Sequence, residues 1–154
     1  MYITVHGTAA MLIARAVPNP FLAFLLALVS HFVLDFIPHG DEHIIQKHFT
    51  RGQTLRRLVG YATVDGIVLA GFLAIFFWFG PLNISPSTII WSLIGALMPD
   101  LLQGIYFATE ARSIKWFQNF HVKIHNASNH ALTWHQGMLV QCMVLTALWL
   151  FVIY

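Results

Sequence analysis

Nine histidines are set into a 154-residue chain that carries only six acidic and eight basic residues. Their spacing is that of ligands. His31-Phe-Val-Leu-Asp35 puts a nitrogen and an oxygen donor at i and i+4, on one face of a helix. His121-Val-Lys-Ile-His125 does the same with two nitrogens. Two further acids, Asp65 and Asp100, fall inside apolar runs. An ionisable group within an apolar span costs at least a few kcal/mol unless it is paired or coordinated. Several acids and imidazoles at one depth therefore read as partners. A divalent metal is the simplest species that holds them together, and imidazole with carboxylate suits zinc, manganese or iron. Met98-Pro99-Asp100 adds a kink that frees backbone groups and can aim the carboxylate inward. The weaker features have plainer readings. His43, His48 and His135 read as interfacial residues. His39-Gly-Asp-Glu-His43 is a poor ligand pair because Pro38 and Gly40 favour a turn over a continuous helix.

The elements that must carry these residues are apolar helices. The chain is 58% hydrophobic and only 9% charged, against about 25% charged in a soluble domain. Most of its surface is therefore not expected to face water. A single integral membrane domain over residues 1–154 follows, an all-α bundle of four to five helices. Phe21–Ile37, Val59–Phe79, Thr88–Ala108 and Gly137–Tyr154 reach spanning length or come close to it. Ile3–Val17 is shorter and closes at Pro18-Asn19-Pro20; it either spans in part or packs obliquely beside the others. It lacks the basic start and small-residue cleavage site of a secretory signal and is expected to stay in the protein. The loops 38–58 and 110–136 hold Lys47, Arg51, Arg56, Arg57, Arg112, Lys115 and Lys123, whereas 80–87 has no charge. The positive-inside rule puts the two long loops in the cytoplasm, with Trp78 and Trp91 at the outer interface and Arg15 reaching for lipid phosphate.

Each long loop is expected to contain a short amphipathic helix. One is capped by Asp41 and runs through Ile44, Ile45 and His48. The other is capped by Ser113 and carries Phe117, His121, Ile124 and His125 at helical spacing. That stripe would lie against the membrane or cover the end of the bundle. All nine histidines then fall toward the cytoplasmic side. Asp65 lies about 9 Å into its helix at 1.5 Å per residue. Asn126 and Asn129 stand near the imidazoles as hydrogen-bond partners. A net charge of +2 without a basic run gives no argument for nucleic acid. The single cysteine, Cys142, lies in an apolar stretch and excludes a disulfide framework.

Ser30-His31-Phe-Val-Leu-Asp35-Phe-Ile-Pro38 and Leu97-Met98-Pro99-Asp100 are the segments that carry a family likeness. Through them the chain resembles the inner-membrane metal-dependent hydrolases, relatives of the zinc-dependent phospholipase C superfamily. The resemblance implies a helical protein with a cluster of metals held by an early histidine, here His6, by the pair His31 and Asp35, by Asp100, and by a second histidine pair, here His121 and His125. The segment Asn129-His130-Ala-Leu-Thr-Trp-His135 is loosely similar to the family's histidine-rich block.

The leading expectation is a metal-dependent hydrolase at the inner membrane, with membrane lipid as its surroundings and a lipid phosphoester as its substrate. His6, His31, Asp35, Asp100, His121 and His125 would hold the metal, and Asp65 would serve as the base to water. A di-iron hydroxylase is a second enzyme class, but no His-x-x-His-His box appears. A metal transporter would place its ligands near the midplane, often with inverted repeats, and no repeat is visible. A structural membrane subunit with a stabilising metal is the non-enzymatic reading.

Overall fold

The computed structural model describes residues 1–40, 48–79, 83–127 and 132–153, with residues 152 and 153 described by backbone alone. Among them the chain is all-helical and contains no strand. The elements are α1 (Ile3–Ala16), α2 (Pro20–Asp35), α3 (Arg51–Phe79), α4 (Pro86–Thr109), a 3-10 turn (Arg112–Ile114), α5 (Lys115–His125) and α6 (Trp134–Ile153). The expected helix beginning at Asp41, together with His43, Asn129 and His130, lies outside the described residues.

Local chemistry sets the helix ends. The Asn19 side chain accepts from the Leu22 N–H at 3.0 Å, and Pro20 fills the first helical position of α2, where a missing N–H costs nothing. Pro86 does the same for α4, which closes on Glu110 in the left-handed region at φ 53°. Arg51, at the start of α3, donates to the Phe107 and Ala108 carbonyls at the end of α4. Ser113 does not cap the second loop helix. It sits inside the 3-10 turn, and α5 starts after Ile114 with no side-chain cap. The tight turn takes up the chain before a capping geometry can form.

Cross-helix contacts give the directions. Thr88 Oγ1 donates to the Pro18 carbonyl and Ser92 Oγ to the Ala10 carbonyl, at 3.1 and 2.6 Å, so α4 runs antiparallel to α1. Thr4 meets Asp65 of α3, and the Tyr2 N–H donates to Gln141 of α6 at 2.8 Å. The short α1 is therefore not a helix beside the bundle. It is the central one, with nine of its fourteen residues buried. Gly7, Thr8, Ala9, Ala10 and Ala14 leave room for neighbouring backbones to approach, and small residues are what apolar-solvent bundles use at their interfaces. Ala10, Ala27 and Ala96 pack into one cluster between α1, α2 and α4. A Cβ on Gly95 would run into the Phe24 backbone.

The large apolar side chains point outward instead. Trp78, Phe79, Ile67, Leu139 and Phe151 are all well exposed. Among the described residues two helices, α3 and α4, are long and apolar enough to cross a membrane. The helix expected over Phe21–Ile37 stops at Asp35 and has 16 residues.

Candidate metal centre

The polar end of the bundle converges on Asp35, the last residue of α2, which is 1% exposed. Its Oδ2 lies 3.0 Å from His31 Nε2, 3.1 Å from His121 Nε2 and 2.9 Å from His125 Nε2. Its Oδ1 lies 3.1 Å from His6 Nε2 and 2.5 Å from the Met1 amino group. Asp100 Oδ1 of α4 stands 3.8 Å from both His31 Nε2 and His121 Nε2. Four elements thus meet here: α1 brings His6, α2 brings His31 and Asp35, α4 brings Asp100, and α5 brings His121 and His125.

Hydrogen bonding alone does not account for this arrangement. A carboxylate oxygen offers about two lone pairs, yet three imidazole nitrogens crowd Oδ2. The His31 ring is also committed. Its Nδ1 lies 2.7 Å from the Ala96 carbonyl, which can only accept, so Nδ1 carries a proton. In a neutral ring Nε2 would then turn a lone pair toward Asp35 and toward His121 Nε2, only 3.2 Å away. Lone pairs facing one another at 3 Å repel unless a cation stands among them. A zinc ion bonded at about 2.0–2.1 Å separates its tetrahedral ligands by roughly 3.3 Å. The observed spacings of 3.0 to 3.8 Å bracket that value.

Among the described residues two groups of ligand atoms come close enough to hold a metal, each with all atoms within 4.8 Å: His31, Asp35, Asp100 and His121, and a second made of Asp35, His39 and His125. Asp35 belongs to both. His6 stands outside both groups. It stacks on His31 with ring centroids 4.1 Å apart and braces Asp35.

His39 is the residue that the spacing argument set aside. It is 2% exposed, and its Nδ1 lies 2.6 Å from the Ile37 carbonyl, which leaves Nε2 facing the Met1 amino group at 2.8 Å. It reaches the site because the chain turns at Gly40, φ +70°, with no room for a Cβ at Gly137 of α6 where that turn packs. Gln141 Nε2 holds the His39 carbonyl at 2.9 Å. The available signal was the i, i+4, i+8 series His31, Asp35, His39, which one more helical turn would place on one face.

Pro99 removes the N–H that would bond the Gly95 carbonyl, and the next carbonyl, Ala96, receives His31.

Asp65 lies elsewhere. Its carboxylate accepts from the Thr4 N–H, at 3.3 Å to the nearer oxygen, and from Thr4 Oγ1. It serves the free N–H groups at the start of α1, whose own N-cap, Tyr2, supplies no side-chain bond. Asp65 is in neither ligand group. His48 is exposed against Phe49, and His135 is exposed against Trp134. Asn126, at the end of α5, is exposed.

No protein-family model, no curated protein and no solved structure matches this chain. The centre is therefore interpreted from its own chemistry.

Proposed function

We propose that this is a multi-pass protein of the cytoplasmic membrane that holds a divalent metal, zinc first, in the Asp35 centre and uses it to hydrolyse a phosphoester at the cytoplasmic leaflet. The observation that carries the metal is the Oδ2 atom of Asp35 among three imidazole nitrogens, with His31 Nδ1 already bound to a carbonyl. Two imidazoles and one carboxylate are a ligand set known for open zinc sites, with manganese or iron as further candidates. Such an ion would bring the pKa of a bound water to about 7 and polarise a phosphoryl oxygen.

The chain's own residues divide the remaining work. His31, Asp35 and His121 hold the ion. Asp100 is the carboxylate with access to solvent, its side chain 24% exposed against 0% for Asp35. It faces the open edge, where it takes the proton from the attacking water. His125, 17% exposed, flanks the same edge. Asp65 is engaged by α1, so Asp100 replaces it as the base in this reading.

Burial supports a second reading. His31, Asp35 and His121 have no exposed side-chain surface, and closed sites hold structural metals. In that case the ion locks α2, α4 and α5 together and catalyses nothing. Metal analysis of detergent-purified protein beside the His31→Ala/Asp35→Ala variant decides the first step. Zinc or manganese present in the wild type and lost from the variant supports the centre; no metal after reconstitution sinks it. Turnover of phosphoesters by the loaded protein then separates the hydrolase from the structural metal.

A further inference from the structure

Helix α5 has two unlike faces. Gln118 and His121 are buried, and Phe117 and Phe120 approach Phe32 of α2 with ring centroids 6.3 and 5.2 Å apart. On the other side Trp116 is 70% exposed, between Lys115 and Lys123, which are also exposed, and Phe120, at the border of the two faces, is 46% exposed. Arg112 stands exposed in the preceding turn. No acid occurs from 111 to 127, and the nearest, Glu110, is engaged by Arg51 at 3.5 Å. Aromatic rings set among cations, in a stretch of sequence without an acid, match the boundary of an anionic leaflet, where rings sit at headgroup level and ammonium groups meet lipid phosphate.

We infer that α5 docks on anionic phospholipid through Trp116, Phe120, Lys115 and Lys123, and that this docking governs how tightly the Asp35 centre holds its metal. The second clause rests on the metal reading above. The link is mechanical. Helix α5 supplies His121 and His125, so any surface that holds α5 against the end of α2 holds two imidazoles beside Asp35. Lipid that favours the seated helix must strengthen metal binding by the same factor that metal strengthens seating.

The test is zinc affinity, by competition with a chromophoric chelator, in nanodiscs of phosphatidylcholine alone and with phosphatidylglycerol added. It is read for the wild type and for Lys115→Glu/Lys123→Glu. Quenching by brominated lipids, compared between wild type and Trp116→Phe, reports the docking separately. The wild type is expected to bind zinc about tenfold tighter in the anionic discs. The double variant is expected to match the wild type in neutral discs, which shows it is folded, and to gain nothing from anionic lipid. Equal wild-type affinity in both discs, or a preference retained by the variant, overturns the coupling. Zinc bound without Trp116 quenching overturns the docking. Quenching with no zinc bound in either disc supports the docking but overturns the metal reading, and the coupling with it.

Discussion

Asp35 and Asp65 are both acids set in apolar helices, and their neighbourhoods assign them different work. Asp65 meets donors that suit it: one N–H and one hydroxyl from Thr4, at the start of a helix whose first amides need acceptors. The carboxylate and the helix end satisfy each other, and nothing further is required. Asp35 meets four imidazole nitrogens and an amine. That is more nitrogen than one carboxylate can bond, and one of the rings already has its proton placed elsewhere. The lesson is that depth in an apolar span marks an acid as costly, whereas the donor chemistry around it says what it does. An acid matched to amides and hydroxyls has its bonding satisfied; an acid crowded by imidazole nitrogens is one that could hold a metal.

The largest effect separating the two sites is expected from Asp35→Asn. It removes the charge shared by both ligand groups, so metal binding should vanish in mass-spectrometric metal analysis, with a loss of about 3–5 kcal/mol in detergent unfolding from breaking the buried ionic cluster. Bound metal in this variant would remove Asp35 from the centre.

His31→Ala should follow. Groups that merely orient a metal ligand cost about 10–100-fold in affinity, so the loss of a ligand itself should exceed that range in chelator competition. Asp100→Asn sharpens the assignment of roles. Metal content should be largely kept, while phosphoester turnover falls by about 100-fold or more, as expected for the loss of a proton acceptor.

Gly137→Ala addresses the second ligand group alone. The new Cβ would displace the His39–Gly40 turn, so metal binding that depends on His39 should weaken while the group around His31 and His121 keeps its ion. The smallest effect is expected from Asp65→Asn. A polar contact between helices in such bundles averages about 0.6 kcal/mol and rarely exceeds about 1.7. The variant should lose stability in that range and keep both metal and turnover. Turnover lost with metal retained would return Asp65 to the role of base and break the comparison.

Hydropathy misjudged α1. Its run read as a short segment that spans in part or packs obliquely beside the others, yet it is the helix that the others surround. Leu139, Ile67 and Phe151 face out, the pattern expected where the surroundings are as apolar as the side chains and large apolar residues gain nothing by turning inward. Small residues mark the interior instead, and Gly7, Ala9, Ala10 and Ala14 carried that signal.

Periodicity and punctuation in the chain by themselves determined the helical class and the five long helices to within a few residues at most ends, and they pointed to His31, Asp35, Asp100, His121 and His125, which the fold gathers around one carboxylate. An i, i+4 pair and an acid after proline are local patterns with local geometric consequences. The eight-residue exception is the start of α3 at Arg51, which polar side chains disguised and the α4 carbonyls hold. Tertiary structure alone decided which acid is the hub, that His39 joins it through a left-handed Gly40, that the Ala96 carbonyl sets the His31 tautomer, and that Asp65 tends α1. Those outcomes depend on which backbones approach one another across 29 to 139 residues of sequence, and no local pattern records such approaches.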